Sequence, residues 1–204
     1  MEKNGKLLLI KQGEEAQERI LSAFYEDGKA VELSCFGASD TQLLGNIYIG
    51  KVKNIVKNIE AAFIEIEGGI LCYYSLREHE TPFYIKGNKS SKLSPGDELL
   101  VQVNREAVKT KAPTVTCNLN FPGKYLVLTT GKKQLGLSAK LSQEEKERLR
   151  GIAEPFLTEK FGVIVRTNAA QIPGEILQEE YQRIRGICHR VLTEGIHQSC
   201  FSKV

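Results

Sequence analysis

The sequence predicts an α+β fold in which a short amino-terminal β block precedes an antiparallel β-barrel and then a small mixed α/β subdomain. Three observations lead there. Between Gly45 and Val103, short apolar runs alternate with turn signals at Gly68-Gly69 and Pro95-Gly-Asp97, the rhythm of a compact barrel whose closure leaves no free edge strand. Beyond Phe121-Pro-Gly123, strand candidates flank segments whose apolar residues recur at helical spacing. The chain has 204 residues, 41% of them hydrophobic, enough for two small cores or one medium core.

Taken in order, Lys6–Ile10 and Lys29–Leu33 read as strands with Ile20–Tyr25 between them, and Asp27-Gly28 supplies a hairpin turn. This block is small and is expected to lean on something else. The barrel region follows, interrupted from Glu78 to Lys92 by a stretch rich in Ser, Lys and Gly that reads as a long loop. Lys124–Thr130 and Gly162–Thr167 are strand candidates. Between them Ser142 and Glu145 form a capping-box pattern, followed by an apolar stripe of Leu149, Ile152, Ala153, Phe156 and Leu157. Pro155 must kink or end that helix, because it lacks the N–H of the intrahelical bond. A second helix is expected from Glu175 to Glu194, with Leu177, Tyr181, Ile184, Cys188 and Val191 on one face and Gly195 as its stop.

The net charge of +3 permits a polyanionic partner without demanding one, since such binding needs basic charge gathered on one face. The five cysteines are scattered, with no spacing that suits zinc, and read as reduced thiols. Leu7–Ile10 is too short to cross a bilayer or to serve as a signal-peptide core, so no membrane association is expected and the reading is cytoplasmic. His79, His189 and His197 form no metal motif, and no nucleophile–histidine arrangement is present, so no catalytic residue is assigned.

Two places carry candidate chemistry. In a strand across Ile59–Ile66, Phe63 shares a face with Ala61 and Glu65, opposite Ala62 and Ile64. It is either a core ring or a solvent-facing platform on which nucleobases stack. Tyr73 and Tyr74 adjoin on the next apolar run, so one of them should point toward Phe63. Lys51, Lys53 and Lys57, with Lys109 and Lys111, are either phosphate contacts or solvated surface charges. At the end of an apolar strand, Arg166-Thr167 offers a guanidinium fork beside a hydroxyl, suited to phosphate oxygens; the alternative is a strand-end arginine paired with a carboxylate.

The segments Leu44–Val52 and Glu60–Ile66 resemble the opening of an S1-type (OB) RNA-binding barrel. Gly45-Asn-Ile-Tyr48, Ala61-Ala-Phe63, Pro95–Val103, Pro122–Leu128, Gly136-Leu-Ser138 and Gly162–Thr167, in that order, are similar to the amino-terminal half of the ribonuclease E/G family. The resemblance runs from Lys6 to about Glu194. It implies amino-terminal strands of a ribonuclease-H-like subdomain at residues 1–41, an S1 domain at 42–119, a 5′-sensor subdomain at 120–195, and a tail or start of a continuation at 196–204. It further implies that Phe63 and Tyr73 stack on RNA, that Lys51, Lys53 and Lys111 contact its backbone, and that Arg166 and Thr167 hold a 5′ monophosphate. Two departures stand out: Ala112-Pro113 follows Lys111 where the family has Gly-Ala, and Ala139-Lys140 replaces two arginines.

Family members are bacterial endoribonucleases that cut single-stranded RNA, and their metal-binding aspartates and zinc-sharing cysteines have no counterpart in these residues. The resemblance therefore implies a fragment or truncated relative that binds single-stranded RNA, including 5′-monophosphorylated ends. No metal or other cofactor is assigned to this chain, which alone is expected to be inactive. The full-length parent is expected to be a Mg²⁺-dependent endoribonuclease and a homo-oligomer. The alternative is a stand-alone RNA-binding or regulatory protein without nuclease activity.

Overall fold

A computed structural model of the chain describes residues 5–12, 19–37, 42–78, 81–86 and 92–204. His79 and most of the stretch read as a loop between Glu78 and Lys92 lie outside the described residues. The chain divides into two compact units, Met1–Leu43 and Leu44–Val204.

The first unit is an antiparallel sheet of β1 (Gly5–Gln12), β2 (Arg19–Glu26) and β3 (Lys29–Gly37) in sequential order. Asp27 and Gly28 both take positive φ (50° and 78°), the signature of a type I′ hairpin turn. Leu7 and Leu9 project from one face and Leu8 and Ile10 from the other, all exposed, while Ala23 is the buried hydrophobic among the described side chains. A sheet with so little buried surface gains little from the hydrophobic effect.

In the second unit, β4 (Ile47–Val56), β5 (Ala61–Glu65), β6 (Leu71–Ser75), β7 (Phe83–Lys86), β8 (Glu98–Arg105) and β9 (Thr114–Thr116) form one sheet. β4 pairs with both β5 and β8, so β4-β5-β6-β9-β8 closes into a five-stranded barrel of the S1/OB kind. The short β6–β9 contact is parallel; the other pairings are antiparallel. The expected loop from Glu78 to Lys92 is corrected by β7, which pairs with the first half of β8. Four residues with a register shift after Tyr84 are too few to show a period, and the strand exists because β8 offers it an edge.

Four strands build the last layer: β10 (Asn120–Pro122), β11 (Leu126–Thr129), β12 (Leu135–Leu137) and β13 (Gly162–Val165), in the order β10-β11-β13-β12. Two helices pack on it, α1 (Gln143–Ala153) and α2 (Gly174–Thr193). Ser142 caps α1 by accepting a hydrogen bond from the Glu145 N–H, and Arg148 hydrogen-bonds the Glu145 carboxylate. That bond holds the Glu145 carboxyl below its ordinary range, so the contact persists at neutral pH and is lost only as acid titrates the group. Pro155 ends α1 by setting a 3-10 turn at Glu154–Phe156. α2 buries Leu177, Tyr181, Ile184 and Cys188, and the Tyr181 ring stacks on Phe156 at 4.4 Å.

Gly195 does not end α2 by adopting a left-handed backbone, as expected of a glycine stop. Its role is packing: a Cβ there would stand 2.1 Å from Val204 Cγ1. The carboxy-terminal segment returns to the barrel, where Phe201 and Val204 N–H groups donate to the Ile49 and Ile47 carbonyls.

The barrel wears two different outer walls. Ile47, Ile49 and Leu100 face outward into a core shared with Leu126, Leu128, Val163, Val165, Leu149 and Ile184. Gln102 pins this junction: its amide donates to Gly45 O and Asn120 O, and its oxygen accepts from the Asn120 N–H. Leu99–Val103 is thus buried on both faces. The opposite wall, from the second half of β4 across β5 and β6, is left open.

Cys72, Cys117 and Cys188 are buried, and burial pushes the Cys72 and Cys188 thiols up to about 11 and about 12. In the folded chain an aromatic disulfide reagent at neutral pH is expected to react first with Cys35 and Cys200. Prompt modification of Cys72 or Cys188 would contradict this packing.

Candidate nucleic-acid interface

Strand alternation decides which side chains stand on the open wall. Ala62 and Ile64 of β5, with Cys72 and Tyr74 of β6, fill the barrel interior, so Phe63 and Tyr73 must point outward. They are direct cross-strand partners, and their half-buried rings meet edge to face at 6.3 Å. The row continues to Asn54 on one side and Thr114 on the other. Tyr74 is the adjoining tyrosine that goes inside.

Lys51 and Lys53 flank the rings, but each also meets a carboxylate. Lys53 Nζ lies 2.7 Å from Glu65 Oε2, and Lys51 Nζ lies 3.7 Å from Glu98 Oε1. Glu65 Oε2 is buried and accepts no hydrogen bond, so the first pair is held by charge alone. Both lysines remain well exposed, so water screens each pair and each ammonium keeps N–H donors open to solvent. Lys111 stands exposed on the hairpin between β8 and β9, closed by Val108–Lys111 backbone bonds with Lys109 at positive φ. The Pro113 that departs from the family pattern is buried, and its carbonyl accepts from the Tyr73 N–H, which ties this hairpin to the aromatic row. Lys57 lies in the 3-10 turn that follows β4.

Arg166 and Thr167 sit in a second, separate place, at the carboxy-terminal end of β13. A pocket of about 520 Å³ is lined there by Arg166, Thr167, Ser138, Lys132 and Asn168. Arg166 Nη1 donates to Gly123 O at 2.6 Å; its partner is a carbonyl, not the carboxylate of the alternative reading. The guanidinium therefore keeps further N–H donors for a ligand. Thr167 Oγ1 lies 2.7 Å from Ser138 Oγ, a hydroxyl pair that can reorient toward an acceptor oxygen. Ala139 adds no charge and Lys140 is exposed nearby. The pocket's second cation is Lys132, which sequence reasoning missed; the signal was Gly131-Lys132-Lys133 directly after an apolar strand.

A buried carboxylate shapes this site from behind. Glu180 on α2 is 8% exposed and accepts from the N–H groups of Lys124, Tyr125 and Leu126 at 2.7–2.8 Å. It thereby fixes the turn that presents the Gly123 carbonyl to Arg166, while Tyr125 O accepts the Arg166 N–H. Sequence reasoning missed Glu180; the signal was its place next to Tyr181 on the apolar stripe of α2.

Among the described residues, no group of three or more His, Cys, Asp and Glu side chains is arranged to hold a metal ion. These residues do not fit a carboxylate-held Mg²⁺. No helix among them is long and apolar enough to cross a membrane.

Comparison with known proteins bears on the same elements. A model described as the ribonuclease E/G family matches residues 120–202, from β10 through the carboxy-terminal return. The chain is 34% identical over 148 residues to ribonuclease E of Synechocystis sp., covering 69% of this chain and 21% of that protein. Against ribonuclease E of Nostoc sp. it is 31% identical over 170 residues, covering 79% and 24%. Against ribonuclease G of Escherichia coli it is 28% identical over 164 residues, covering 75% and 33%. The chain thus spans between a fifth and a third of the length of these curated relatives.

Proposed function

This chain belongs to the ribonuclease E/G family, and from that premise we propose that it binds single-stranded RNA on the open barrel wall and receives a 5′ monophosphate in the Arg166–Thr167 pocket. The observation that carries this reading is the outward pair of Phe63 and Tyr73 with Lys51, Lys53 and Lys111 beside it. Rings on an exposed sheet face stack on any base, and lysines at the margin attract the phosphates between bases. Cleavage is assigned to no residue described above; the parent protein is proposed to be a metal-dependent endoribonuclease acting in RNA processing or decay. We divide the chain functionally into amino-terminal strands to residue 41, an RNA-binding barrel at 42–119 and a 5′-sensing layer at 120–195.

Titration of a fluorescent oligoribonucleotide tests the barrel assignment. Phe63→Ala is expected to weaken binding about 5- to 150-fold, the equivalent of about 1–3 kcal/mol of stacking. Its melting temperature should change little, because the ring is not part of the barrel core. Unchanged affinity would remove Phe63 from the site, and native affinity that fails to fall with rising salt would argue against phosphate contacts altogether.

The pocket makes a separate claim. A terminal monophosphate carries more charge and more free acceptor oxygens than an internal phosphodiester, so a guanidinium fork beside hydroxyls distinguishes them. The native chain is expected to bind a 5′-phosphorylated RNA more tightly than its 5′-hydroxyl counterpart, and Arg166→Ala to abolish that difference. Equal binding of the two ends by the native chain would leave Arg166 as a structural residue that holds Gly123.

A further inference from the structure

A larger cavity, about 730 Å³, lies between the barrel and the α/β layer on neither of the two surfaces discussed above. Its floor is one stripe of α2, Gln182, Arg185, Gly186 and His189, which fall three and four residues apart. Lys133 and Lys160 enter from the loops before β12 and β13, and Phe83 of β7 faces it from the barrel with 41% of its surface exposed. Among the described residues no Asp or Glu lines the cavity, and none of Lys133, Lys160 and Arg185 makes an ion pair with a carboxylate. Three cations in one concavity without a carboxylate partner among the described residues, in a chain of net charge +3, are a concentration of potential that attracts a polyanion.

The kind of anion follows from the other groups. An exposed aromatic ring opposite a polar helix stripe suits a flat base, and the Gln182 amide offers a donor and an acceptor to a base edge. Gly186 leaves the middle of the stripe bare: a Cβ built there meets no atom within 4 Å. Glycine within a helix is otherwise unfavourable by roughly 1 kcal/mol relative to alanine. The volume lies in the range of small-molecule and cofactor sites, roughly 300–1,000 Å³. One loop also links this cavity to the 5′ pocket, since Lys132 lines the pocket and its neighbour Lys133 lines the cavity.

The geometry points to a third RNA contact: the cavity takes an internal nucleotide of the strand whose 5′ end occupies the Arg166 pocket, with its base against Phe83 and its phosphate among Lys133, Lys160 and Arg185. This rests on the RNA-binding reading, and the test separates the two.

A 5′-hydroxyl oligoribonucleotide, which takes no advantage of the 5′ pocket, is titrated against the native chain, Gly186→Leu and the double variant Lys160→Ala/Arg185→Ala. Gly186→Leu puts a side chain into the cavity at a position where its Cβ meets no atom, and the exposed double variant keeps the fold should the first disturb it. Both are expected to weaken binding at least tenfold with little loss of thermal stability. The double variant should also flatten the slope of log affinity against log salt by about 1.4, two phosphate contacts at about 0.7 each. Native RNA binding with affinity unchanged in both variants overturns the cavity assignment and leaves the barrel reading standing. Failure of the native chain to bind RNA overturns both. Competition by poly-glutamate as effective as competition by RNA of equal charge would instead make this an acidic-peptide site.

Discussion

Replacing Glu180 by alanine is expected to destabilise the chain by about 3–5 kcal/mol, the range for removing one member of a buried charged network. The carboxylate satisfies three consecutive backbone N–H groups where the turn after β10 enters β11, and alanine would leave those donors facing a cavity. Each hydrogen bond to a charged group is worth roughly 1.5–3 kcal/mol, though partial access of water to the turn recovers some of it. Arg183, 3.5 Å from Glu180 Oε1, adds little because it is itself exposed. Urea unfolding followed by far-ultraviolet circular dichroism measures the loss. Glu180→Gln keeps an acceptor oxygen and should fall in between. A change below about 1 kcal/mol for the alanine variant would mean that water replaces the carboxylate. Because the same turn presents Gly123 to Arg166, the glutamine variant should also lose preference for 5′-phosphorylated RNA while still folding.

Gly162→Ala should be nearly as severe. A Cβ at this position would stand 1.9 Å from Lys132 O and 2.9 Å from Gln134 O, both backbone atoms that cannot rotate away. The close approach lets the Val163 N–H reach Gln134 O, which locks the loop before β12 onto β13. Separating them costs the overpacking strain of about 1–3 kcal/mol plus that hydrogen bond. The displaced loop carries Lys132 of the Arg166 pocket and Lys133 of the deeper cavity, so, on the proposed function, RNA affinity should drop along with the melting temperature. Wild-type stability in this variant would mean that the loop moves freely. A normal melting temperature with weakened RNA binding would confine the effect to the two lysines.

Sequence alone reached the outline of the fold wherever a local rule acts by itself. Asp27-Gly28 forms a hairpin turn because both positions tolerate positive φ; Ser142 caps a helix and Pro155 ends it through bonds made within a few residues. Alternation set Phe63 opposite Ala62 and Ile64 and required one of Tyr73 and Tyr74 to share its face; the strand register makes that one Tyr73. What alternation could not tell was whether that face would be covered. The same two-residue period places Ile47, Ile49 and Leu100 outside the barrel too, yet those are buried in a shared core while the Phe63–Tyr73 wall is open. That difference depends on where the α/β layer docks, which is set by contacts between residues tens of positions apart. β7 escaped notice because an edge strand of four residues takes its form from β8. Lys51 and Lys53 read as free cations until the neighbouring strands brought Glu98 and Glu65 to them. Arg166 and Thr167 were legible as a candidate phosphate-binding pair; the pocket they line was not, because Ser138, Lys132 and the Glu180-braced turn at Gly123 converge on it only in three dimensions. Residue types and local periods determined which elements form and which side chains can bind; only tertiary packing decided which of those side chains stay open to a ligand, because burial is a property of two surfaces and a sequence segment describes one.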